Sequence, residues 1–196
     1  CSGSNTFTDS ILIQPLPLVD FEANTYEGCS PLPVRFILEE LTTVQNIDSV
    51  VFHWGDGTPS TTVFPLPMSF PLMWDTVLHV FTGQQYFDTT YFVTLIGYNE
   101  CGTDTITKSI LVKPNSVRAF FNIDQTDGCE DLTFRAIDLA VGDSVVTSWC
   151  WNYDPILDTC LLPGPPSPAG DTLFHTFTDP GDYIVAQFAN NGCGYD

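Results

Sequence analysis

The chain has 196 residues, of which 43% are hydrophobic and 13% aromatic, so it can bury the cores of two small domains and is too apolar for a disordered segment. Its 24 acidic residues face only 5 basic ones, and a surface with a formal net charge of -19 repels nucleic acid and anionic lipid. No apolar run approaches the roughly 20 residues of a membrane-spanning helix, so neither nucleic acid binding nor membrane insertion is expected.

The first predicted element is a strand followed by a linker. Residues 8–15 form a β-branched run that ends on a proline, and residues 107–114 form the same kind of run with the same ending. Because proline cannot donate to a strand ladder, each run predicts a final strand and the start of a linker. We therefore expect residues 1–20 to be the last strand and linker of a preceding repeat, with residues 5–13 packed into that upstream repeat.

Short strands and turns follow along the chain. Residues 33–38 alternate between apolar and polar side chains, and residues 132–136 do so later. Residues 50–54 run into the Gly-Asp-Gly sequence at 55–57, which is a strong turn signal. No amphipathic helix pattern is found. Several short strands separated by turn signals predict an all-β sandwich.

The second half of the chain repeats the landmarks of the first half. Gly-Cys, aromatic-x-Trp, His-x-Phe, Tyr-x-Val and Asn-x-Cys-Gly occur in this order in residues 28–102 and again in residues 128–194. A period this long indicates tandem domains rather than a solenoid of small repeats. We expect a complete domain at 21–115 and a second domain at 116–196, which lacks a counterpart of the last strand at 105–112.

The turn and its flanking strands resemble a known family. Residues 51–57, Val-Phe-His-Trp-Gly-Asp-Gly, followed by residues 79–81 and 91–95, resemble a PKD (polycystic kidney disease-type) domain. The Gly-Cys and Asn-x-Cys-Gly elements resemble the disulfide-bearing version in large surface proteins of Bacteroidetes-type bacteria that the type IX system secretes. The second copy departs from the family signature, because residues 149–154 lack both turn glycines. The resemblance implies tandem immunoglobulin-like β-sandwiches in the extracellular space, on a bacterial cell surface.

The cysteines predict disulfides. Cys29 and Cys101 occupy in the first copy the places that Cys129 and Cys193 occupy in the second. A metal site would bring Cys-x-x-Cys pairs or nearby histidines, so structural disulfides are favoured over free thiols or a metal site. Cys1 is left over, and its surroundings match those of Cys101 and Cys193. The expected bonds are Cys29–Cys101, Cys129–Cys193 and Cys150–Cys160, with Cys1 in an intermolecular or inter-repeat bond.

No catalytic set emerges from the sequence, and we expect no enzymatic activity. The motifs of serine hydrolases, zinc proteases and phosphate-binding loops are missing. The single aspartate of the Gly-Asp-Gly turn supplies too few oxygen ligands for calcium, so Asp56 is expected to bond nearby backbone amides. His79 and His175 recur at equivalent places and are expected to be partly buried and hydrogen-bonded rather than ligands. No cofactor or metal is expected, and calcium is the one ion left open.

One inserted loop is unusually apolar. Loops are normally polar, so residues 63–74 must fold onto their own domain, meet a neighbouring repeat or subunit, or bind a ligand. The residues expected at an interface are Phe64, Leu66, Met68, Phe70, Leu72 and Trp74.

Aspartate followed by serine or threonine recurs through the chain. This element resembles the O-glycosylation sequon of secreted Bacteroidetes proteins, and two pairs of sites fall at matching places in the repeats, Ser49 with Ser144 and Thr76 with Thr172. The alternative is that Asp-Ser and Asp-Thr suit strand starts through side-chain bonds to the turn backbone. The candidate glycosylation sites are Ser10, Ser49, Thr76, Thr89, Thr105, Ser144 and Thr172.

These observations predict a non-catalytic extracellular segment of a bacterial surface stalk or filament with a structural or adhesive role. Its partners would be neighbouring repeats or identical subunits arranged head to tail, and surface glycans are a further candidate. The alternative function is a glycan-binding accessory module of a secreted polysaccharide-degrading enzyme, in which exposed aromatics such as Trp74 would stack on sugars.

Overall fold

The fold is all-β, which confirms the predicted class. The computed structural model describes residues 8–38, 47–63 and 76–196, and every regular element in these ranges is a strand. Within the same ranges, no helix is long and apolar enough to cross a membrane.

The strands of the first repeat form two sheets. The strands are β1 (Phe21–Ala23), β2 (Glu27–Cys29), β3 (Leu32–Leu38), β4 (Ser49–His53), β5 (Thr61–Val63), β6 (Thr76–Phe81), β7 (Thr89–Asn99) and β8 (Gly102–Lys113). One sheet has the order β1-β3-β6 and the other has the order β2-β8-β7-β4-β5. Burial alternates along β3, as the sequence pattern predicts, because successive side chains of a strand point to opposite faces.

The strands of the second repeat also form two sheets. The strands are β9 (Phe121–Ile123), β10 (Leu132–Asp138), β11 (Val146–Asp154), β12 (Thr159–Pro163), β13 (Ser167–Pro168), β14 (Thr172–Phe177) and β15 (Ala186–Asn190). One sheet has the order β14-β10-β9, and the other has the order β12-β11-β13 with β15 also paired to β11.

Contacts between Cα atoms divide the chain into two compact units, each drawn from several stretches of sequence. The first unit comprises residues 1–24, 34–79 and 92–109, and the second comprises residues 25–33, 80–91 and 110–196.

Aromatic rings fill the core of the first unit. Phe21 of β1 and Phe36 of β3 pack edge to face with centroids 5.7 Å apart, and Phe21 contacts Phe52 of β4 at 5.6 Å. Phe52 stacks on Trp54 at 5.0 Å. All four side chains are buried, so rings from both sheets of the first repeat meet in a sandwich core.

The second unit has a core of the same kind. Phe121 of β9 meets Trp149 of β11 at 5.2 Å, and Phe134 of β10 meets Trp151 of β11 at 5.7 Å. Ala136 joins this buried cluster. The tryptophans of the predicted aromatic-x-Trp motif are therefore core residues in both units.

Residues 8–20 contain no strand. Ile11 and Ile13 are 91% and 87% exposed, whereas Val19, at the end of the linker, is buried. A Cβ atom at Gly97 would lie 2.2 Å from Val19 Cγ1, so a glycine in β7 makes room for the linker.

Candidate functional site

The Asn-x-Cys-Gly motif forms a turn that holds a linker. In the first unit, Asn99 Oδ1 accepts hydrogen bonds from the backbone nitrogens of Cys101 at 2.9 Å and Gly102 at 3.1 Å. Its Nδ2 donates to the carbonyl oxygen of Pro15 at 3.0 Å. An asparagine side chain that replaces backbone hydrogen bonds is common in tight turns, but here the same amide also reaches a segment 84 residues earlier in the chain.

The second unit repeats this arrangement atom for atom. Asn191 Oδ1 accepts from Cys193 N at 3.0 Å and from Gly194 N at 2.7 Å, and Nδ2 donates to the carbonyl oxygen of Pro114 at 3.0 Å. A Cβ atom at Gly194 would lie 2.1 Å from the carbonyl oxygen of Asn115, so only glycine allows the turn and the linker to approach this closely.

An aspartate extends each turn. Asp104 Oδ2 accepts a hydrogen bond from the backbone nitrogen of Val19 at 2.9 Å, and Asp196 Oδ2 accepts one from Ala119 at 2.7 Å. The motif is therefore Asn-x-Cys-Gly-x-Asp in both copies. In each copy the motif contacts the linker that precedes its own repeat, and we call this set of contacts the linker clamp. In the first copy residues 99–104 contact residues 15–19, and in the second copy residues 191–196 contact residues 114–119.

The cysteine of the second linker clamp forms a disulfide with the first repeat. Cys193 is bonded to Cys29, with their Cα atoms 5.4 Å apart and a sequence separation of 164 positions. Cys29 ends β2, which runs parallel to the end of β8 with Cys29 opposite Lys113. The backbone nitrogen of Ser30 donates to the carbonyl oxygen of Lys113 at 2.9 Å. The bond therefore lies directly beside Pro114, which the clamp holds.

This pairing shows that the expected bonds Cys29–Cys101 and Cys129–Cys193 are wrong. Cys29 lies opposite the last residue of β8, whereas Cys101 lies just before its first residue. At about 3.3 Å per residue, a strand of 12 residues separates them by roughly 35–40 Å, far beyond the roughly 7 Å limit for two bonded Cα atoms.

The remaining cysteines fall into two groups. Cys150 and Cys160 are bonded to each other, as the sequence predicts, and they connect β11 with β12. Cys101 and Cys129 are unpaired and exposed. Cys101 Sγ lies 3.6 Å from the carbonyl oxygen of Gln14. Cys1 lies outside the described residues.

The Gly-Asp-Gly turn is held by its own side chains. Asp56 Oδ1 accepts hydrogen bonds from Thr58 N at 3.0 Å and Thr58 Oγ1 at 2.5 Å, and Asp56 Oδ2 lies 2.7 Å from His79 Nε2. Gly55 and Gly57 have φ angles of 77° and 84°, which favour glycine. The His79 ring stacks on Trp54 with centroids 4.3 Å apart, so the turn is fixed to the core.

These contacts occupy the carboxylate of Asp56, which is the group in the turn that a cation would bind. Both carboxylate oxygens of Asp56 are engaged, and among the described residues no group of three or more His, Cys, Asp or Glu side chains could hold a metal ion. Burial raises the pKa of Asp56, but hydrogen bonds from Thr58 and His79 outweigh this effect and lower it overall. Within the part of the chain that the structure describes, the side chains around Asp56 therefore do not supply the set of oxygen ligands that calcium requires.

The second repeat keeps the tryptophan–histidine stack without the Gly-Asp-Gly turn. His175 stacks on Trp151 with centroids 5.0 Å apart, and burial lowers the pKa of His175. Both histidines that recur in the sequence are thus packed against core tryptophans, and the expected hydrogen bond is present at His79, whose Nε2 lies 2.7 Å from Asp56 Oδ2.

The candidate glycosylation sites differ in accessibility. Ser10, Thr76, Thr105, Ser144 and Thr172 are exposed, whereas Ser49 and Thr89 are half-buried. The Thr89 hydroxyl accepts a hydrogen bond from Gln84 N at 2.9 Å. Ser49, Thr76, Thr89 and Thr172 are the first residues of their strands, a placement that suits the strand-start interpretation as well.

The predicted apolar interface lies outside the described residues. It comprises Phe64, Leu66, Met68, Phe70, Leu72 and Trp74.

A cleft opens on the core of the second unit. It has a volume of about 590 Å³ and is lined by the rings of Phe134, Phe177 and Tyr183, with residues 125–130 along one side. Phe177 stacks on Tyr183 at 4.0 Å, so the cleft wall consists of packed core rings rather than mobile side chains. The sequence did not indicate this cleft.

Comparisons with known proteins give a likeness in strand arrangement only. No protein-family model matches the chain, and no curated protein matches its sequence. Similar solved structures, each 12% identical to the chain, are the mouse coronavirus receptor-binding domain complexed with its murine receptor, carbohydrate-binding modules from the beta-sandwich super family, and the FN1–FN3 domains of chicken CNTN1. The first has a TM-score of 0.48 and its alignment covers 91% of this chain and 94% of that chain. For the second, the TM-score is 0.42 and the alignment covers 94% and 99%. For the third, the TM-score is 0.34 and the alignment covers 93% and 65%. Scores this low carry no argument about ligands or activity.

Proposed function

We propose that the chain is a non-catalytic structural segment of an extracellular surface protein, in which successive repeats are tied to one another by clamped linkers and disulfides. The observation that carries this proposal is the Cys29–Cys193 bond. It connects the Gly-Cys element of one sequence repeat with the Asn-x-Cys-Gly element of the next, so its purpose is to join repeats rather than to close a single one.

Two further features support a structural role. The linker clamp uses an asparagine, a glycine and an aspartate at the same places in both copies, and the hydrogen bonds of the asparagine and the aspartate to the linker are the same. Two disulfides also fit an oxidising extracellular environment. The asparagine and aspartate of the linker clamp occur at both linkers, which suits a structural role better than a role in binding a ligand.

The sequence supports a more specific assignment of the repeat type, the domain bounds and the location. We infer PKD-type repeats with domains at 21–115 and 116–196, preceded by the strand and linker of an earlier repeat at 1–20, on the surface of a bacterium. The Trp54–Asp56–His79 arrangement supports this assignment, because the signature residues of the first repeat hold one another in place.

Surface display and assembly can be tested in the source cells. Antibodies against this chain should label intact cells, and extracts should contain immunoreactive material of very high mass. Labelling only after permeabilisation would contradict a surface role.

A glycan-array screen addresses the alternative function. A structural segment should bind no glycan above background. Saturable binding to one glycan class would instead favour the accessory module of a polysaccharide-degrading enzyme.

A further inference from the structure

The two linker clamps differ in the residue that follows the asparagine. In the first linker clamp, Asn99 is followed by Glu100. In the second, Asn191 is followed by Gly192. A backbone nitrogen can attack the side-chain amide of the asparagine before it, and glycine favours this attack because it has no Cβ atom to hinder the approach. The second linker clamp therefore contains a reactive pair that the first lacks.

The folded chain holds the amide of this pair at both ends. Asn191 Oδ1 accepts hydrogen bonds from Cys193 N at 3.0 Å and Gly194 N at 2.7 Å, and Nδ2 donates to the carbonyl oxygen of Pro114 at 3.0 Å. An amide must rotate away from these partners before its carbon can be attacked. The bonds that hold the linker therefore also protect the asparagine.

The attacking nitrogen is engaged as well. Gly192 N donates a hydrogen bond to Asn190 Oδ1 at 2.6 Å. In the first copy the corresponding residues are Glu100 and Tyr98, so the glycine and the side chain that binds its nitrogen occur together in the second copy. Gly192 and Asn190 are exposed, and water therefore reaches the site.

We propose that Asn191–Gly192 is a spontaneous deamidation site, that the second linker clamp keeps it unreactive, and that its reaction makes an opening of this linker clamp permanent. Exposed turns open locally without unfolding of the domain core, and such openings free the amide. The inference goes beyond the proposed structural function and does not depend on it, so cell labelling and the glycan array test that function separately.

The reaction needs no enzyme, cofactor or oxidant. Gly192 N loses its proton and forms a bond to Cγ of Asn191, and the bond between Cγ and Nδ2 breaks as ammonia leaves with that proton. Water then opens the resulting succinimide at either of its carbonyl groups, which yields aspartate or isoaspartate. A water molecule is consumed for each ammonia released, and no electrons are transferred.

Either product prevents the linker clamp from closing as before. A carboxylate at position 191 cannot donate to the carbonyl oxygen of Pro114, and it places a negative charge against that oxygen. Isoaspartate also adds a methylene group to the backbone, which displaces the side chain from the amides of Cys193 and Gly194. The linker would then stay released, while the Cys29–Cys193 bond still connects the chain.

Peptide mapping of the full chain measures the reaction at each asparagine. After incubation in mildly alkaline buffer, aspartate and isoaspartate are quantified at positions 99 and 191, and both positions should react slowly while the chain is folded. In urea with a reductant, the rate at Asn191 should rise at least about tenfold because its hydrogen bonds are lost. Asn99 should stay slow, since Glu100 follows it. Equal rates at Asn191 in the folded and unfolded chain would overturn the protection, and equal rates at the two asparagines in urea would overturn the reactive pair.

Two substitutions of Asn190 form a matched pair. Asn190→Ala removes the acceptor for Gly192 N, whereas Asn190→Asp keeps an oxygen acceptor at the same place. The alanine variant should deamidate at Asn191 about threefold to tenfold faster than the wild type, since one hydrogen bond is lost, and the aspartate variant should react at the wild-type rate. The same rate in both variants would refute the role of Asn190 in protecting the site.

Opening the linker clamp itself supplies the decisive comparison. Gly194→Ala places a Cβ atom 2.1 Å from the carbonyl oxygen of Asn115, so the linker must move away, and deamidation at Asn191 should rise at least about tenfold. The matched substitution in the first linker clamp, Gly102→Ala, should leave both asparagines slow. Tryptophan fluorescence identifies a general loss of folding, in which case the two Asn190 variants decide the question. A folded Gly194→Ala variant with an unchanged rate at Asn191 would overturn the proposal.

Discussion

Asp56 shows how a single side chain fixes the turn of the first repeat. Its two carboxylate oxygens bond Thr58 and His79, and His79 in turn stacks on the buried Trp54. The aspartate therefore connects an exposed turn to the core. A residue that resembles a ligand in the sequence acts as a structural hydrogen-bond acceptor in the folded chain.

Replacing Asp56 with asparagine should destabilise the first unit by about 1–3 kcal/mol, because the bonds to Thr58 and His79 lose their charge. The effect should depend on pH. The pKa of Asp56 is lowered in the folded chain from its usual 3.8, so the wild-type advantage should be complete above that value and should disappear as the pH falls below it. Thermal unfolding at several pH values checks this, with Asp127→Asn at an exposed position as the control. An advantage that persisted in strong acid would contradict the assigned role.

The Asn-x-Cys-Gly-x-Asp motif supplies the side chains that form the linker clamp. Asn191→Asp keeps the acceptor for the backbone nitrogens of Cys193 and Gly194 but removes the donor to Pro114, whereas Asn191→Ala removes both. Hydrogen exchange should therefore be faster in residues 115–119 of both variants, and faster in the turn amides of the alanine variant alone. The alanine variant should lose about 2–3 kcal/mol of local stability, since three hydrogen bonds disappear. Equal exchange in the turn amides of the two variants would disprove a separate contact with the linker.

Accessibility ranks the candidate glycosylation sites. In protein from the native host, Thr76, Ser144 and Thr172 should carry sugar more completely than Thr89, whose hydroxyl is hydrogen-bonded to Gln84. Glycopeptide mapping measures the occupancy of each site. Full occupancy at Thr89 with empty exposed sites would show that accessibility does not control the modification.

Most strands of the two repeats were predictable from sequence, as was the Cys150–Cys160 bond, whereas the bond between Cys29 and Cys193 was not. Alternation along β3 and the Gly-Asp-Gly turn are local signals, and both elements form as expected. The repeat correctly showed that Cys101 and Cys193 occupy equivalent turns, but equivalence does not reveal which end of a strand a cysteine faces. That information lies in the parallel pairing of β2 with the end of β8, which joins residues more than 80 positions apart and leaves no local pattern.

At the scale of the whole molecule, the two disulfides should contribute unequally. Removing Cys29 and Cys193 together by serine substitution should lower the free energy of unfolding by about 5 kcal/mol, because the bond closes a loop of 164 residues. The same double substitution at Cys150 and Cys160, which are 10 residues apart, should cost about 3 kcal/mol. Denaturant unfolding followed by tryptophan fluorescence compares them. A larger loss at the short loop would contradict the chain-entropy argument.

The Cys29–Cys193 bond also decides where tension passes. A pull applied before Cys29 and after Cys193 would pass from one sulfur to the other, so the stretch between these cysteines, whose positions differ by 164, would carry no load. The core of the second unit would be bypassed, whereas the linker and β1, which precede Cys29, would still carry the load. Reduction followed by unfolding of the strands between the two cysteines would release roughly 550–600 Å of additional length, since an extended chain spans about 3.3–3.6 Å per residue. A series of such links would bear stress through the disulfides, the linkers and β1, while the later strands carry none.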